Sequence, residues 1–268
     1  MSVHARYRSD EGLETLRSTP VIEHLLAHRS VRVYLPDPLP EGTVETLVAA
    51  AQSAASSSNL QVWSVVAVED AQRKARLARL AGNQKHIVEA PLLLVWLIDF
   101  DRLTRLGEAA GQTPHALDYT ETFLLGAVDT ALAAQNAVVA LEALELGSVF
   151  IGGIRNHPLE VAEELALPPR LFPLFGLVVG KPDPERPAAI KPRLPQAAVL
   201  HRERYLWSDD QLRQAESYND RLRVFQREQA MPEIDWTAQA LRRTAGPDSM
   251  AGRDRLREIL DARGFPLL

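Results

Sequence analysis

The longest apolar stretch of the chain spans residues 119–153. Between Leu124 and Leu144 only Asp129 and Glu142 carry charge, and apolar residues recur at helical spacing on almost every face. Alanine and leucine dominate this stretch, and both favour helix. A helix that is apolar nearly all round is buried in a core or shared with a second subunit. The pattern therefore predicts a long core helix, with Gly147 just past its end.

A β-rich run follows this helix at residues 148–151 and stops at Gly152-Gly153. Two glycines after a buried strand let the backbone approach a ligand or another backbone segment closely. We expect a central strand of a layered α+β domain, with a strand end that contacts a ligand. The plainer alternative is a core helix followed by an ordinary turn.

Apolar runs and helical periodicity predict the remaining elements of this domain. Strands are predicted at residues 62–68, 91–98 and 172–179. Helices are predicted at residues 21–27, 41–55, 71–80, 100–106 and 158–165, with Asp70 as the cap of the third. Residues 31–34 are expected to be extended, and residues 56–59 and 82–86 to be loops.

The ends of the chain differ from this central part. Residues 1–19 are expected to form a loose N-terminal segment, and residues 20–204 a single domain. The proline-rich stretch 182–195 is not expected to be helical. Residues 205–268 are expected to form a helical extension, with helices at 209–226, 236–243 and 250–262. A Ser208–Gln211 capping box starts the first of these.

Composition narrows the class of protein. The 268 residues are 46% hydrophobic and 24% charged, which is ordinary for a soluble globular protein. The net charge of -5 gives no reason to expect nucleic acid as a partner. There are no cysteines, which excludes disulfides and thiol catalysis. We also expect no membrane span and no signal peptide, so the expected location is the cytoplasm.

Two basic clusters are candidates for binding an anion: His28-Arg29-Ser30-Val31-Arg32 and Lys191-Pro192-Arg193. Arginine can hold a phosphate through two hydrogen bonds, and serine adds a hydroxyl donor. The alternative for the first cluster is that a helix C-terminus favours cations anyway. The alternative for the second cluster is a solvated loop.

Other motifs are weaker or missing. The loop Ser56-Ser57-Ser58-Asn59-Leu60-Gln61 offers hydroxyls and amides before a strand, although serine is also common in loops after helices. No dinucleotide fingerprint, Walker A sequence, H-E-x-x-H or G-x-S-x-G motif is present, and the seven histidines show no metal-ligand spacing. We therefore expect no metal site.

Taken together, these stretches resemble the FMN-dependent nitroreductase family, in its oxygen-insensitive NADPH nitroreductase and NADPH–flavin reductase branch. The similarity runs from about residue 20 to 205. It rests on six motifs in order: HRSVR at 28–32, SSSNLQ at 56–61, GNQKH at 82–86, LLGAVDTALAAQNAVVALEALELGSVFIGG at 124–153, LFPLFGLVVGKP at 171–182 and KPRLP at 191–195.

The resemblance implies a nitroreductase-like α+β fold in two or three layers. Its central sheet is mainly antiparallel, flanked by helices, and includes the long buried helix. It also implies a homodimer with FMN at the subunit interface and residues 205–268 wrapped on the partner. The implied FMN-binding residues are His28, Arg29, Ser30, Arg32, Ser56, Gln61, Gln84, Phe150, Ile151, Gly152, Gly153, Lys191 and Arg193.

The implied activity is an FMN-dependent oxidoreductase that takes hydride from NADPH. It would reduce nitroaromatics, quinones or flavins by two electrons in a ping-pong scheme. The chemistry would occur at N5 of FMN, without a catalytic side chain. Arg227, or Arg223 one turn earlier, would bind the 2′-phosphate of NADPH. The alternative is a flavin-binding storage or regulatory protein without significant turnover.

Three features depart from the family pattern. Phe150 stands where tyrosine is frequent, the segment before residue 20 is longer than usual, and the similarity after about residue 205 is loose except for the W-x-x-x-x-x-R-R-T run at 236–244.

Overall fold

The computed structural model of the protein describes residues 2–9 and 13–268. It divides into two compact units. The sheet unit comprises Ser30–Pro187 and Ala251–Leu268, and the helical unit comprises Met1–Arg29 and Ala188–Met250.

The sheet unit contains four strands in the order β1-β2-β4-β3, and every neighbouring pair is antiparallel. They are β1 (Trp63–Val68), β2 (Leu92–Asp99), β3 (Gly147–Ile151) and β4 (Leu171–Gly180). Strand β2 is buried along its whole length. Because alternate residues of a strand point to opposite faces, both faces of the sheet are covered.

One face of the sheet packs against two helices of the same unit, α3 (Thr43–Gln52) and α7 (Thr120–Ala143). Leu92, Leu94 and Trp96 of β2 join Leu47 of α3 and Leu141 of α7 in one apolar cluster. The sheet unit also contains α4 (Ala71–Leu80), α5 (Lys85–Glu89), α6 (Asp101–Ala109), α8 (Pro158–Glu164) and α11 (Leu256–Ala262). The predicted α+β fold with an antiparallel sheet and a long core helix is confirmed.

Helix α7 has the length and the apolar composition of a membrane span, and within the described residues it is alone in this. Its buried residues include Asp129 and Thr130 as well as Ala133, Ala134 and Val138 of the core cluster. We therefore assign it to the protein core. Its other face is exposed at Leu124, Val128 and Leu132.

The end of the chain belongs to the core of the sheet unit. Leu260 of α11 and Phe265 are buried in a cluster with Ile98, Phe100 and Phe172. The Leu268 carbonyl accepts a hydrogen bond of 3.1 Å from the Thr120 amide at the start of α7. Residues 256–268 therefore pack on the sheet of their own chain. This narrows the part of the predicted extension that is available to a partner subunit.

The helical unit contains α1 (Ser2–Tyr7), α2 (Pro20–Leu26), α9 (Asp209–Glu228) and α10 (Trp236–Arg243). At the predicted capping box of α9, the Ser208 amide donates to Oε1 of Gln211 over 3.0 Å. Tyr218, Leu222 and Phe225 of α9 form a small core.

Two local predictions are wrong. Residues 2–7 of the segment expected to be loose form α1, and its Arg6 is only 6% exposed. Residues 1 and 10–12 of that segment lie outside the described residues. The second error is at residues 82–86, where α5 already begins at Lys85. Both helices are too short to repeat an apolar pattern, so their sequences gave no helical signal.

Candidate active site

The two basic clusters meet in the helical unit, on the side chain of Arg6. Its guanidinium donates to the His28 carbonyl over 2.5 Å and to the Lys191 carbonyl over 2.9 Å. The Arg193 amide in turn donates to the Arg6 carbonyl over 2.9 Å. Segments that are far apart in the sequence are thus held together by one residue.

Two arginine side chains of this region, Arg29 and Arg193, bond only to the backbone among the described residues. Arg29 and Arg193 are exposed, and their hydrogen bonds go to backbone carbonyls of Ala27, Lys191 and Pro192. Neither forms an ion pair with any carboxylate of residues 2–9 or 13–268. Exposed guanidinium groups without carboxylates are suited to bind an anion such as a phosphate.

A pocket of about 630 Å³ opens beside the second cluster, within the helical unit. This volume lies in the range of small-molecule sites. Its walls combine cations and aromatic rings, and they include Lys191, Arg193, Tyr218, Trp236, Arg242 and Arg243. The pocket can therefore accept a ligand that carries both negative charge and a planar ring.

In the sheet unit, the remainder of the first cluster runs beside β3. Ser30 forms a parallel bridge with Ser148, and the Val31 amide donates to the Ser148 carbonyl over 2.8 Å. Arg32 is exposed. Burial lowers the pKa of His86, and the positive charge of Arg32 lowers it further. Because Nε2 of His86 is buried and has no hydrogen-bond partner among the described residues, it is an available polar group.

The glycine pair at the end of β3 allows a close approach within the sheet unit. A Cβ atom on Gly153 would lie 2.4 Å from the Ala81 carbonyl oxygen and 2.7 Å from Nε2 of Gln84, so a side chain does not fit there. Gln84 donates to the Ala81 carbonyl over 2.8 Å. The structure therefore brings together the predicted site residues Gln84 and Gly153.

The side chains just before the glycine pair differ in exposure. Phe150 is 41% exposed and packs edge-on against Phe175, with 5.3 Å between the ring centroids. Ile151 is buried in the core. The aromatic face at the end of β3 is thus open to a planar ligand.

Sequence reasoning missed two arginines beside this strand end. The position of a Cβ on Gly152 lies 3.8 Å from the guanidinium nitrogens of both Arg155 and Arg253. Burial lowers the pKa of Arg155, and the positive charge of Arg253 lowers it further. Arg155 lies two residues after the glycine pair, so its position in the sequence already indicated that it is near the end of β3. The position of Arg253 beside Gly152 could not be predicted from the sequence, because the two residues are far apart along the chain.

The serine-rich loop 56–61 is fixed to the core helix. Ser56 Oγ donates to Asp129 over 2.6 Å and accepts the Gln61 amide over 2.8 Å, and the Ser57 amide also donates to Asp129. A hydroxyl has one proton, so in this arrangement Ser56 has none left to donate to a ligand. Left-handed backbone at Ser58, Asn59 and Gln61 is a strain typical of functional loops.

Arg223 and Arg227, the residues predicted to bind NADPH, lie on α9 and are both ion-paired. Arg227 holds Glu233 through two hydrogen bonds of 3.0 and 2.9 Å, and this contact holds the pKa of Glu233 below its usual range. Arg223 contacts Asp220 and Asp235. A nucleotide phosphate would have to compete with these carboxylates.

Comparison with known proteins identifies the family. Residues 25–181 match the model of the Nitroreductase family, and residues 191–268 match that of the Nitroreductase family, C-terminal domain. The chain belongs to the nitroreductase family. The two matches cover both sequence regions that contain the basic clusters.

Relatives of this nitroreductase have named activities. It is 40% identical to FMN reductase [NAD(P)H] of Bacillus subtilis over 206 residues, which are 75% of this chain and 81% of the relative. It is 41% identical to the oxygen-insensitive NADPH nitroreductase of Salmonella typhimurium over 196 residues, 72% and 78% of the two chains.

A solved structure agrees with the fold. The NADPH:FMN oxidoreductase from Vibrio harveyi, complexed with NAD+, superposes with a TM-score of 0.81 at 34% identity. The superposition covers 92% of this nitroreductase and 98% of that chain.

The family implies FMN, and the donor set of this nitroreductase fits that cofactor. FMN carries a phosphate dianion, which requires fixed cations and hydrogen-bond donors. Arg29 and Arg193 supply cations that have no carboxylate partner in the described part of the chain, and Arg6 holds together the segments that carry them.

Proposed function

We propose that this nitroreductase is an FMN-dependent oxidoreductase that uses NADPH to reduce nitroaromatics, quinones or flavins by two electrons. The observation that carries the proposal is the meeting of the two basic clusters on Arg6, which forms a site suited to the FMN phosphate. The names of the relatives support the flavin, the nicotinamide nucleotide and the class of acceptor.

The proposal assigns the chain's residues to two parts of the cofactor. In the helical unit, His28, Arg29, Lys191 and Arg193 bind the phosphate. In the sheet unit, we assign to the ring or the ribityl chain Ser30, Arg32, Ser56 as an acceptor, Gln61, Gln84, Phe150, the backbone of Ile151, Gly152 and Gly153. These assignments rest on the resemblance and on the chemistry of the side chains.

Bound FMN supplies the chemistry, because its ring takes up a hydride and passes on two electrons. The protein supplies position and charge. In the sheet unit, Arg32 would supply positive charge near the ring, which would lower the energy of an anionic reduced state. Gly153 lets the end of β3 pack closely on Ala81 and Gln84, and the exposed face of Phe150 packs against a planar molecule. No side chain needs to act as a general acid or base.

NADPH and the acceptor use the same open face in turn, so a dedicated dinucleotide fold is not required. Charge is then the available means of distinguishing NADPH from NADH. We assign the 2′-phosphate to Arg227, with Arg223 as the second candidate. When NADPH binds, its 2′-phosphate replaces the Glu233 carboxylate as the partner of Arg227.

The proposed assembly is a homodimer. Its support is the exposed apolar face of α7 and a second exposed apolar group in the helical unit, which includes Val199, Tyr205 and Trp207. Residues 205–250 are the part of the extension that we assign to the partner, because residues 251–268 belong to the sheet unit of their own chain. The use of NADPH supports a cytoplasmic location.

The identity of the flavin tests this function. Purified protein, once denatured, should release FMN as its only flavin. Arg29→Ala should weaken FMN binding by about 1.5–3 kcal/mol, the value of a charge-assisted hydrogen bond. Arg17→Ala removes an exposed cation outside both clusters and serves as the matched control. FAD or no flavin in the released fraction would rule out the proposal, and unchanged affinity in Arg29→Ala would remove that residue from the site.

A further inference from the structure

Arg6 is a buried cation in a part of the chain where the sequence predicts no structure. It lies on α1, and only 6% of its surface is exposed. Burial of a charged side chain is costly unless hydrogen bonds compensate it. Its surroundings therefore indicate what the residue does.

The guanidinium of Arg6 contacts three backbone carbonyls that are far apart in sequence. Nη2 donates to Leu26 over 2.9 Å and to His28 over 2.5 Å, while Nη1 donates to Lys191 over 2.9 Å. Leu26 ends α2, His28 begins the first basic cluster, and Lys191 begins the second. A planar group with five donors can join three acceptors in this way, whereas an ammonium group cannot reproduce that fork.

The neighbours of Arg6 fix α1 to the helical unit. Tyr7 accepts a hydrogen bond of 3.3 Å on its carbonyl from Arg221 of α9. Arg8 pairs with Glu228 over 2.5 Å and lies over the ring of Phe225, with 5.3 Å between its Cζ atom and the ring centroid. The helix is therefore anchored independently of the Arg6 side chain.

We infer that Arg6 is a positioning residue for the flavin phosphate. It fixes the distance between the two basic clusters and adds a positive charge behind them. The cations of the two clusters repel each other, and the hydrogen bonds from one guanidinium to both backbones hold the clusters in place before the ligand arrives. The inference rests on the proposed function, since the phosphate belongs to FMN.

The test compares two flavins that differ only in the phosphate. Dissociation constants of FMN and riboflavin are measured on flavin-free full-length protein, by the change in flavin fluorescence. Arg6→Met keeps the bulk of the side chain and removes its donors and charge. We expect the dissociation constant of FMN to rise about tenfold or more, and that of riboflavin to rise less than about threefold.

Two further variants keep the test decisive. Arg8→Met loosens the same helix without touching the carbonyls, and it should leave the FMN-to-riboflavin affinity ratio within about twofold of wild type. Arg6→Lys keeps the charge but not the fork. Arg6→Lys should lower the FMN-to-riboflavin affinity ratio by at least about threefold. It replaces Arg6→Met in the test if Arg6→Met does not fold.

An equal loss of both flavins, or an unchanged ratio in Arg6→Met and Arg6→Lys, would overturn the inference, because a merely structural role weakens both ligands alike. A wild-type protein that binds FMN no more tightly than riboflavin would instead contradict the proposed phosphate site itself. The two failures are therefore distinguishable.

Discussion

Two polar side chains, one buried and one half-buried, hold backbone segments near the proposed site. Asp129 of α7 holds the loop at 56–57, and Arg155 donates to the Leu174 carbonyl. Leu174 lies where the register between β2 and β4 shifts, so its carbonyl has no place in the ladder. Because a buried polar group without a partner costs about 1–3 kcal/mol, each of these side chains fixes a local backbone conformation.

Asp129 provides a prediction at this scale. It is 2% exposed and accepts both the Ser56 hydroxyl and the Ser57 amide. Asp129→Ala should destabilise the protein by about 1.5–3 kcal/mol, because two partly buried hydrogen bonds lose their charged acceptor. Urea unfolding measures this value, and Asp248→Ala, at an exposed aspartate, is the control. A loss below about 0.5 kcal/mol, within the usual range for surface substitutions, would show that Asp129 does not hold the loop.

Arg227 provides a second prediction. Arg227→Ala should raise KM for NADPH by about 10- to 150-fold, the value of one charged contact, with little change for NADH. Glu233→Gln should shift the ratio of kcat/KM for the two nucleotides toward NADPH, since it removes the competing carboxylate. The measurement is that ratio in wild type and both variants.

The outcomes at Arg227 separate three cases. An unchanged ratio in both variants would move the assignment to Arg223 or another basic residue. A wild-type enzyme that prefers NADH would contradict the use of NADPH, while leaving the FMN site intact. Opposite shifts in the two variants are the expected result.

At the scale of helices and strands, local sequence patterns predicted most positions well. Asp70 caps α4, and the helices at 71–80 and 236–243 have the predicted bounds. Buried strands were located to within a residue or two, because continuous apolar runs of that length are typical of strands. The short helices α1 and α5 were not predicted, because their stability comes from packing with distant residues.

The candidate site was predictable only where its residues form sequence clusters. The two basic clusters and the glycine pair stand out in the sequence, and the resemblance joins them. Arg6 and Arg253 reach these regions through contacts between distant parts of the chain, which no local pattern encodes. The contact of Ser56 with Asp129 has the same long-range origin.

At the scale of the whole molecule, no part of residues 2–9 or 13–268 covers one apolar face of α7. Leu124, Val128 and Leu132 follow one another at intervals of four residues and are 55%, 56% and 43% exposed. Residues at this spacing lie on one side of a helix. A continuous apolar stripe on a long helix is typical of an interface between subunits.

This stripe yields a prediction about assembly. Wild-type protein should have twice the mass of the chain by light scattering at micromolar concentration. Val128→Asp should shift the population toward monomer and toward loss of flavin, because it places a charge in an apolar interface. Leu106→Asp changes an equally exposed leucine on α6 and should leave the mass unchanged. A monomeric wild type with flavin bound would contradict the proposed dimer.

The proposed function requires that NADPH reduces the bound flavin and that an acceptor oxidises it again. The most direct measurement is an anaerobic titration of the yellow protein with NADPH, followed by addition of a quinone. One equivalent of NADPH per flavin should bleach the absorbance near 450 nm, as two-electron reduction requires, and the quinone should restore it. A protein that keeps its colour with excess NADPH would be a flavin-binding protein without this activity.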